Sequence, residues 1–197
     1  MAVKVLCVCG STRIDSYSSR AARAALDAAR AHGAETRLLE LRDLNLPTYN
    51  PDDAGARHEG LRAATDAVNW ADAYLLATPD YHGSMSGAMK NFLDFYWEEF
   101  AGKLFGYVCA SHEKGLTVMD HMRTAVRQCY GWSLPYGASV YGEKDFDSSG
   151  RVTNSQLARR LRMLGRDLVV YGSLIRGQFE VDLADAAAET FAARYRA

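Results

Sequence analysis

The sequence predicts an α/β fold in which helices cover both faces of a parallel sheet, and three observations carry that expectation. Apolar, strand-length runs alternate with amphipathic, helix-length segments five times along the chain. The first run, Val3-Lys4-Val5-Leu6-Cys7-Val8-Cys9, is apolar and β-branched and reads as a strand buried on both faces. A length of 197 residues, with 48% apolar and 24% charged, suits one globular domain over residues 1–197. A chain of that size buries roughly 70% of its unfolded surface and needs no disulfide staple.

Each element has its own signal. Residues 3–9 form the first strand, ended by Gly10. Residues 19–32 form an alanine-rich helix, stopped by Gly33 just past its end. A second strand covers 36–41, and 42–58 reads as loop, broken by Pro47, Asn50-Pro51 and Gly55. Residues 59–70 are helical, and 73–78 form a third strand that Pro79 stops. In the next helix, 84–95, Met85, Met89, Phe92 and Tyr96 recur on one face. Residues 103–111 are the fourth strand. The periodic stretch 115–132 is a helix with Leu116, Met119, Met122, Val126, Cys129 and Tyr130 inward, and 138–141 is a short fifth strand. Thr153 with Gln156 three residues on reads as a capping box, opening a long helix whose stripe is Leu157, Leu161, Leu164 and Leu168. A short helix over about 182–195 closes the chain. The pattern is consistent with strand order 2-1-3-4-5, which places ligands outside the carboxyl ends of the strands, beside strand one.

Composition narrows the function classes. A formal net charge of −1 gives no electrostatic reason for a nucleic-acid or anionic-membrane partner. No apolar stretch approaches the roughly 20 residues of a membrane span, and Met1 leads straight into the first strand, so neither a span nor a signal peptide is expected. Cys7, Cys9, Cys109 and Cys129 show no C-x-x-C spacing, which fits core filling in a reducing cytoplasm. His32, His58, His82, His112 and His121 lack metal-ligand spacing, so no metal is expected. The basic run Arg159-Arg160-Leu161-Arg162 reads as the solvated face of a helix. Phe92, Phe95, Tyr96, Trp97 and Phe100 exceed what one helical stripe buries, so that cluster is either core or a subunit interface.

Two loops carry chemistry. Gly10-Ser11-Thr12-Arg13-Ile14-Asp15-Ser16-Tyr17-Ser18-Ser19 runs from a strand into a helix start, where unpaired amides and the helix dipole favour an anion. Hydroxyls at Ser11, Ser16, Ser18 and Ser19 and the charge of Arg13 suit a terminal phosphomonoester. The same turn also reads as an ordinary capped helix start, with Ser18 or Ser19 as N-cap. There is no G-x-G-x-x-G and no G-x-x-x-x-G-K-[ST], so neither a Rossmann dinucleotide site nor a Walker site is expected. After strand three, Pro79-Asp80-Tyr81-His82-Gly83-Ser84 breaks the strand and opens a helix at once. The Tyr81 ring and the amides around His82, Gly83 and Ser84 suit the face and edge of a flat heteroaromatic ring.

Together the two loops, with Met85-Ser86-Gly87 and Lys90-Asn91 after the second, resemble the NADPH-dependent FMN reductase family and its azobenzene-reductase-like branch. A later stretch from Gly115 to Thr124 is similar to that branch as well, and the likeness runs over about residues 3–141. The resemblance implies a flavodoxin-like three-layer fold with a five-stranded parallel sheet, and FMN as cofactor with NADPH or NADH as co-substrate. It implies FMN contacts from Ser11, Arg13, Ser16, Tyr17 and Ser18 at the phosphate turn, and from Pro79, Tyr81, His82, Gly83 and Ser84 at the ring. A third segment after strand four adds Ser111, Glu113 and Gly115, with His112, Glu113 and Lys114 standing where relatives carry glycine. The family also implies a homodimer or homotetramer.

The activity so implied is a ping-pong NAD(P)H oxidoreductase acting on flavins, quinones, azo compounds or similar small-molecule acceptors. The cofactor carries the hard chemistry, so no catalytic residue is assigned. A flavodoxin-type electron carrier and a flavin-free binding domain are the alternatives. Carriers of that type are usually strongly acidic, and this chain is nearly neutral.

Overall fold

The computed structural model describes residues 2–53, 58–187 and 189–195; the expected breaker Gly55 lies outside them. Strand β1 (Lys4–Cys9) pairs in parallel with β2 (Glu35–Glu40) on one side and β3 (Ala73–Pro79) on the other. β3 pairs with β4 (Leu104–Ala110), whose outer edge is shared by β5 (Trp132–Ser133) and β6 (Ala138–Val140). The order is 2-1-3-4-5, with which the alternation is consistent, and a sixth strand beyond the five expected also pairs with β4. Pro79 stands opposite Ala110, so β3 and β4 end level with one another, while Cys9, opposite Ala77, ends β1 two residues short of them.

Helices α1 (Tyr17–Ala31) and α5 (Ser155–Ala184) cover one face of the sheet. Helices α2 (Glu59–Trp70), α3 (Gly87–Asp94) and α4 (Leu116–Gln128) cover the other. Alternate strand side chains feed the two cores: Val5, Cys7, Leu75 and Val108 pack under α1 and α5, while Leu6, Val8, Leu76 and Tyr107 pack under α2, α3 and α4. Each such fully buried apolar side chain contributes about 1.5–3 kcal/mol. The stripes expected on α5 and along the helix of Met85, Met89, Phe92 and Tyr96 are buried. The aromatic cluster is mostly core: Tyr74 stacks on Phe105 at 4.5 Å and meets Phe100 edge-on at 5.3 Å, and only Trp97, 60% exposed, points outward. Cys7, Cys9 and Cys109 are buried free thiols, and burial pushes that of Cys109 up to about 12.

Four expectations are corrected. The helix expected to reach Trp132 ends at Gln128, because Tyr130 takes the left-handed conformation (φ 60°) and the Gly131 amide donates back to the Val126 carbonyl at 3.0 Å. Trp132 and Ser133 then pair with β4, and Pro135, which has no N–H to donate, separates them from Ala138 on the same edge. Leu116 is exposed rather than inward, since as the first residue of α4 it sits ahead of the buried stripe Val118, Met119, Met122 and Val126. The capping box is not formed: Asn154 caps α5, its Oδ1 accepting from the amides of Gln156 (3.0 Å) and Leu157 (3.2 Å). Finally, α5 continues unbroken to Ala184, and the expected closing helix is reduced to a 3-10 turn at Phe191–Tyr195.

Candidate functional site

The turn between β1 and α1 is built around Ser16. Its hydroxyl oxygen caps α1, accepting from the Ser19 amide at 3.2 Å, and its hydroxyl also meets those of Ser18 (3.1 Å) and Ser19 (2.9 Å). The N-cap is therefore Ser16, and Ser18 and Ser19 lie within the first turn. With the Ser19 amide satisfied, those of Tyr17 and Ser18 open a fifteen-residue helix with no partner inside it. The Ser11 oxygen accepts from the Arg13 amide at 3.2 Å. The rim of the turn is fixed from outside: Asp15 accepts from Arg20 Nε at 2.9 Å, which holds its carboxyl below the usual range, and Arg42 donates to the Arg13 carbonyl at 3.3 Å. Arg42 is itself paired with Glu40, as is Arg23, so the anchor is a buried carboxylate between two guanidinia.

A second anchor ties this turn to the loop after β3. Ser86 donates from Oγ to the Gly10 carbonyl at 2.6 Å, takes the Met89 amide at 3.1 Å as N-cap of α3, and donates its own amide to Thr78 Oγ1 at 3.0 Å. The approach is too close for a side chain at residue 10: a Cβ there would lie 2.8 Å from Met89 Cβ. Glycine is required, and the two loops cannot drift apart.

Residues 81–84 form a tight turn. The amides of Tyr81 and Ser84 donate to each other's carbonyls (3.0 and 3.1 Å), and His82 and Gly83 both take positive φ (56° and 77°). That is the pattern of a type I′ turn. Asp80 clamps it. One carboxylate oxygen accepts from the Gly83 amide and the other from Ser111 Oγ, each at 2.8 Å. Ser111 Oγ in turn accepts from the Glu113 amide at 3.1 Å, while the Ser111 amide donates to the Val140 carbonyl at 2.9 Å. Thus the loops after β3, β4 and β6 are braced by one carboxylate and one hydroxyl.

These loops and the turn after β1 enclose a cleft of about 190 Å³ at the carboxyl ends of the strands. Of the residues expected from the sequence, Ser11, Arg13, Ser16, Tyr17, Ser18, Pro79, Tyr81 and Ser111 line it together. Gly83, Glu113 and Gly115 line an adjoining cleft that shares Asp80 and Tyr141 with the first. The side chains of His82 and Ser84 are not brought in: His82 is exposed at the tip of the turn, and Ser84 Oγ lies 3.1 Å from Nδ1 of His121 on α4. Sequence reasoning missed Asp80, Ala110, Tyr141 and Gly142 as lining residues, and weighed His112 without placing it. Their signal is positional, since each stands at or just past the carboxyl end of a strand, where such sheets hold their ligands. Tyr17 is held upright by stacking on Phe146 (5.6 Å between centroids), and Tyr81 and Tyr141 flank the mouth as exposed rings.

A serine-rich helix start at one end of the cleft, and backbone turns with exposed aromatic rings at the other, could hold the phosphate and the planar ring of a flavin mononucleotide. Fold and cleft together define a flavodoxin-like α/β protein whose ligand site lies at the switch point of the sheet. Residues 3–145 match the NADPH-dependent FMN reductase family. The chain is 27% identical over 182 residues to the NADPH-dependent FMN reductase ArsH of Shigella flexneri, covering 88% of this chain and 70% of that protein. It is 26% identical over 182 residues to the FMN-dependent NADPH-azoreductase of Staphylococcus aureus (strain USA300), covering 86% and 95%. Its fold matches FerB, a flavoenzyme NAD(P)H:(acceptor) oxidoreductase from Paracoccus denitrificans, with a TM-score of 0.73 at 20% identity over 88% of this chain and 98% of the other. The chain belongs to the NADPH-dependent FMN reductase family. It is accordingly an oxidoreductase with FMN as cofactor and NAD(P)H as co-substrate.

Proposed function

We propose that the chain reduces small oxidised acceptors (free flavins, quinones, azo compounds or similar) in two half-reactions, NAD(P)H and then the acceptor occupying the same open side of the site. The observation that carries this is the cleft, with the one adjoining it, on which the phosphate-type turn and the ring-edging turns converge, with Tyr81 and Tyr141 exposed at its mouth. Bound FMN supplies the hydride acceptor and electron store.

The rest is positioning by the chain's own groups. Ser11, Ser16, Ser18 and the first amides of α1 hold the phosphate and so fix how deep the ring sits. Asp80 and Ser111 keep the turns after β3 and β4 at one spacing, so the ring's edge meets fixed backbone groups. The apolar floor under the loops, with Cys9, Ala77 and Val108 fully buried, excludes water from the inner side. Glu113 and the rim residue His112 are exposed, and no residue is assigned as a general acid. Adding NADPH anaerobically to the yellow holoprotein tests this reading: bleaching of the flavin absorbance is expected, and an unchanged spectrum contradicts it.

The four free cysteines, three of them buried, support a reducing, cytoplasmic setting, which localisation of a tagged chain checks. The exposed Trp97, just past α3, supports self-association into a homodimer or homotetramer through that region. Sedimentation showing only monomer would overturn that pairing.

A further inference from the structure

Eighteen of the chain's residues are arginine, and the sequence gives no way to choose which of them reads a nucleotide. The structure does. Around the phosphate turn, Arg20 is committed to Asp15, and Arg23 and Arg42 to Glu40. Arg123 of α4, which also pairs with Asp120, and Arg160 of α5 line an open cleft of about 560 Å³ between those two helices, with Lys114 at its rim. We propose that this cleft takes the 2′-phosphate of NADPH, with Arg123 and Arg160 as the residues that distinguish NADPH from NADH. The proposal rests on the oxidoreductase reading above and adds its nucleotide preference.

The cleft is continuous with the flavin site. Tyr141 lines both, and Lys114 and Leu116 line it together with the cleft that lies between. A dinucleotide with its nicotinamide at the open side of the first cleft therefore has a groove in which to lay its adenosine half. The lining suits that half: Leu116, Met119 and Pro135 give apolar wall, and the cations lie where a phosphate would.

Charge is one-sided there. Three cations face one carboxylate, Asp145, and that carboxylate is already engaged: it is buried, one oxygen accepting from the Tyr141 amide at 2.6 Å and the other from Asn154 Nδ2 at 2.7 Å. The two arginines are held in place before any ligand arrives. The guanidinium of Arg160 lies 5.0 Å over the ring of Tyr136, and that of Arg123 lies 5.2 Å over Tyr107 while one of its nitrogens donates to Asp120 at 2.7 Å. A guanidinium has five N–H donors, so Arg123 keeps others for a ligand. A phosphomonoester carries close to two negative charges at neutral pH, and arginine forks match its oxygens better than any other side chain. The 2′-phosphate is the one group that NADPH has and NADH lacks.

The probe is adenosine 2′,5′-bisphosphate titrated calorimetrically into FMN-loaded protein, with 5′-AMP alongside, for the wild type and an Arg123→Ala/Arg160→Ala variant that keeps its flavin spectrum. The bisphosphate is expected to bind the wild type more tightly than 5′-AMP, and the variant to lose about tenfold of that difference, as for removal of charged hydrogen bonds at an open site. In steady state, the ratio of kcat/KM for NADPH to that for NADH should fall by a similar factor. Single Arg→Lys variants should restore part of it. An unchanged difference and ratio would overturn the proposal. So would a variant whose KM rises for FMN as acceptor but not for riboflavin, because the phosphate read there would then be the acceptor's. Failure of NADPH to bleach the wild-type flavin would instead remove the oxidoreductase reading, and bisphosphate binding is measured independently of it.

Discussion

At Ser16, stability and the proposed phosphate binding meet in one hydroxyl. It satisfies the Ser19 amide at the start of α1 and sits in the hydroxyl cluster that faces the cleft. Ser16→Ala is therefore expected to lower folding stability by about 0.5–2 kcal/mol, the usual effect of losing an N-cap. It should also weaken FMN binding by roughly tenfold, since a hydrogen bond to a charged group contributes about 1.5–3 kcal/mol. Thermal unfolding of the apoprotein and fluorescence titration with FMN read the two effects separately. A variant that lost stability but kept full FMN affinity would reduce Ser16 to a cap. The serines were legible in the sequence as a helix start, open both to an ordinary capped turn and to an anion site. Which serine caps was not legible. Ser16, Ser18 and Ser19 all satisfy the composition rule, and only the backbone at residue 16 (φ −70°, ψ 152°) sets the choice.

At the level of elements, the loop after β3 is a rigid part. Its type I′ turn is held from both sides by Asp80, whose two oxygens serve Gly83 and Ser111. Asp80→Ala would leave both donors without that partner and is expected to lower stability by about 1–3 kcal/mol. FMN affinity should drop at the same time, because the ring-edging turns lose their common brace. Asp80→Asn keeps one acceptor oxygen and should fall between the two. Calorimetric titration of FMN into the three proteins checks the ranking, and equal affinities would show that the turn holds itself. Helices and interior strands were legible because their apolar periods are long. The edge of the sheet was legible only in part: the strand expected at 138–141 is β6, whereas β5, of two residues, is too short for a period and its pairing with β4 is set by tertiary contact. The same holds for Tyr141 and Gly142. They follow a three-residue strand, and no motif marks them.

Across the whole molecule, the sheet carries function at one end and a buried charge at the other. Lys103 precedes β4 at the end away from the cleft, its Nζ donating to the Val68 carbonyl (3.1 Å) and lying 3.4 Å from Tyr74 Oη. Burial, reinforced by Arg176 and opposed by Asp72 and Glu99, lowers its pKa from 10.5 to about 8. The folded state thus holds fewer protons than the unfolded one between those values, so the penalty is fully present below pH 8 and is relieved as pH rises toward 10.5. Lys103→Met is expected to be the more stable protein at pH 7, with its advantage shrinking by roughly 3 kcal/mol by the time the unfolded lysine titrates. Denaturant unfolding of both proteins across that range checks it, and a constant gap would contradict it. At the cleft end, ligand binding stabilises the fold by mass action, about 2.7 kcal/mol at a hundredfold excess over Kd. Everything at that end depends on the 11–18 turn holding a phosphate while the loops after β3 and β4 edge a planar ring. The most direct measurement is the affinity of the apoprotein for FMN against that for riboflavin, which differ only in the phosphate. FMN is expected to bind at least about a hundredfold more tightly, the combined effect of two or more charged hydrogen bonds. Equal affinities, or no binding of either, would contradict the account.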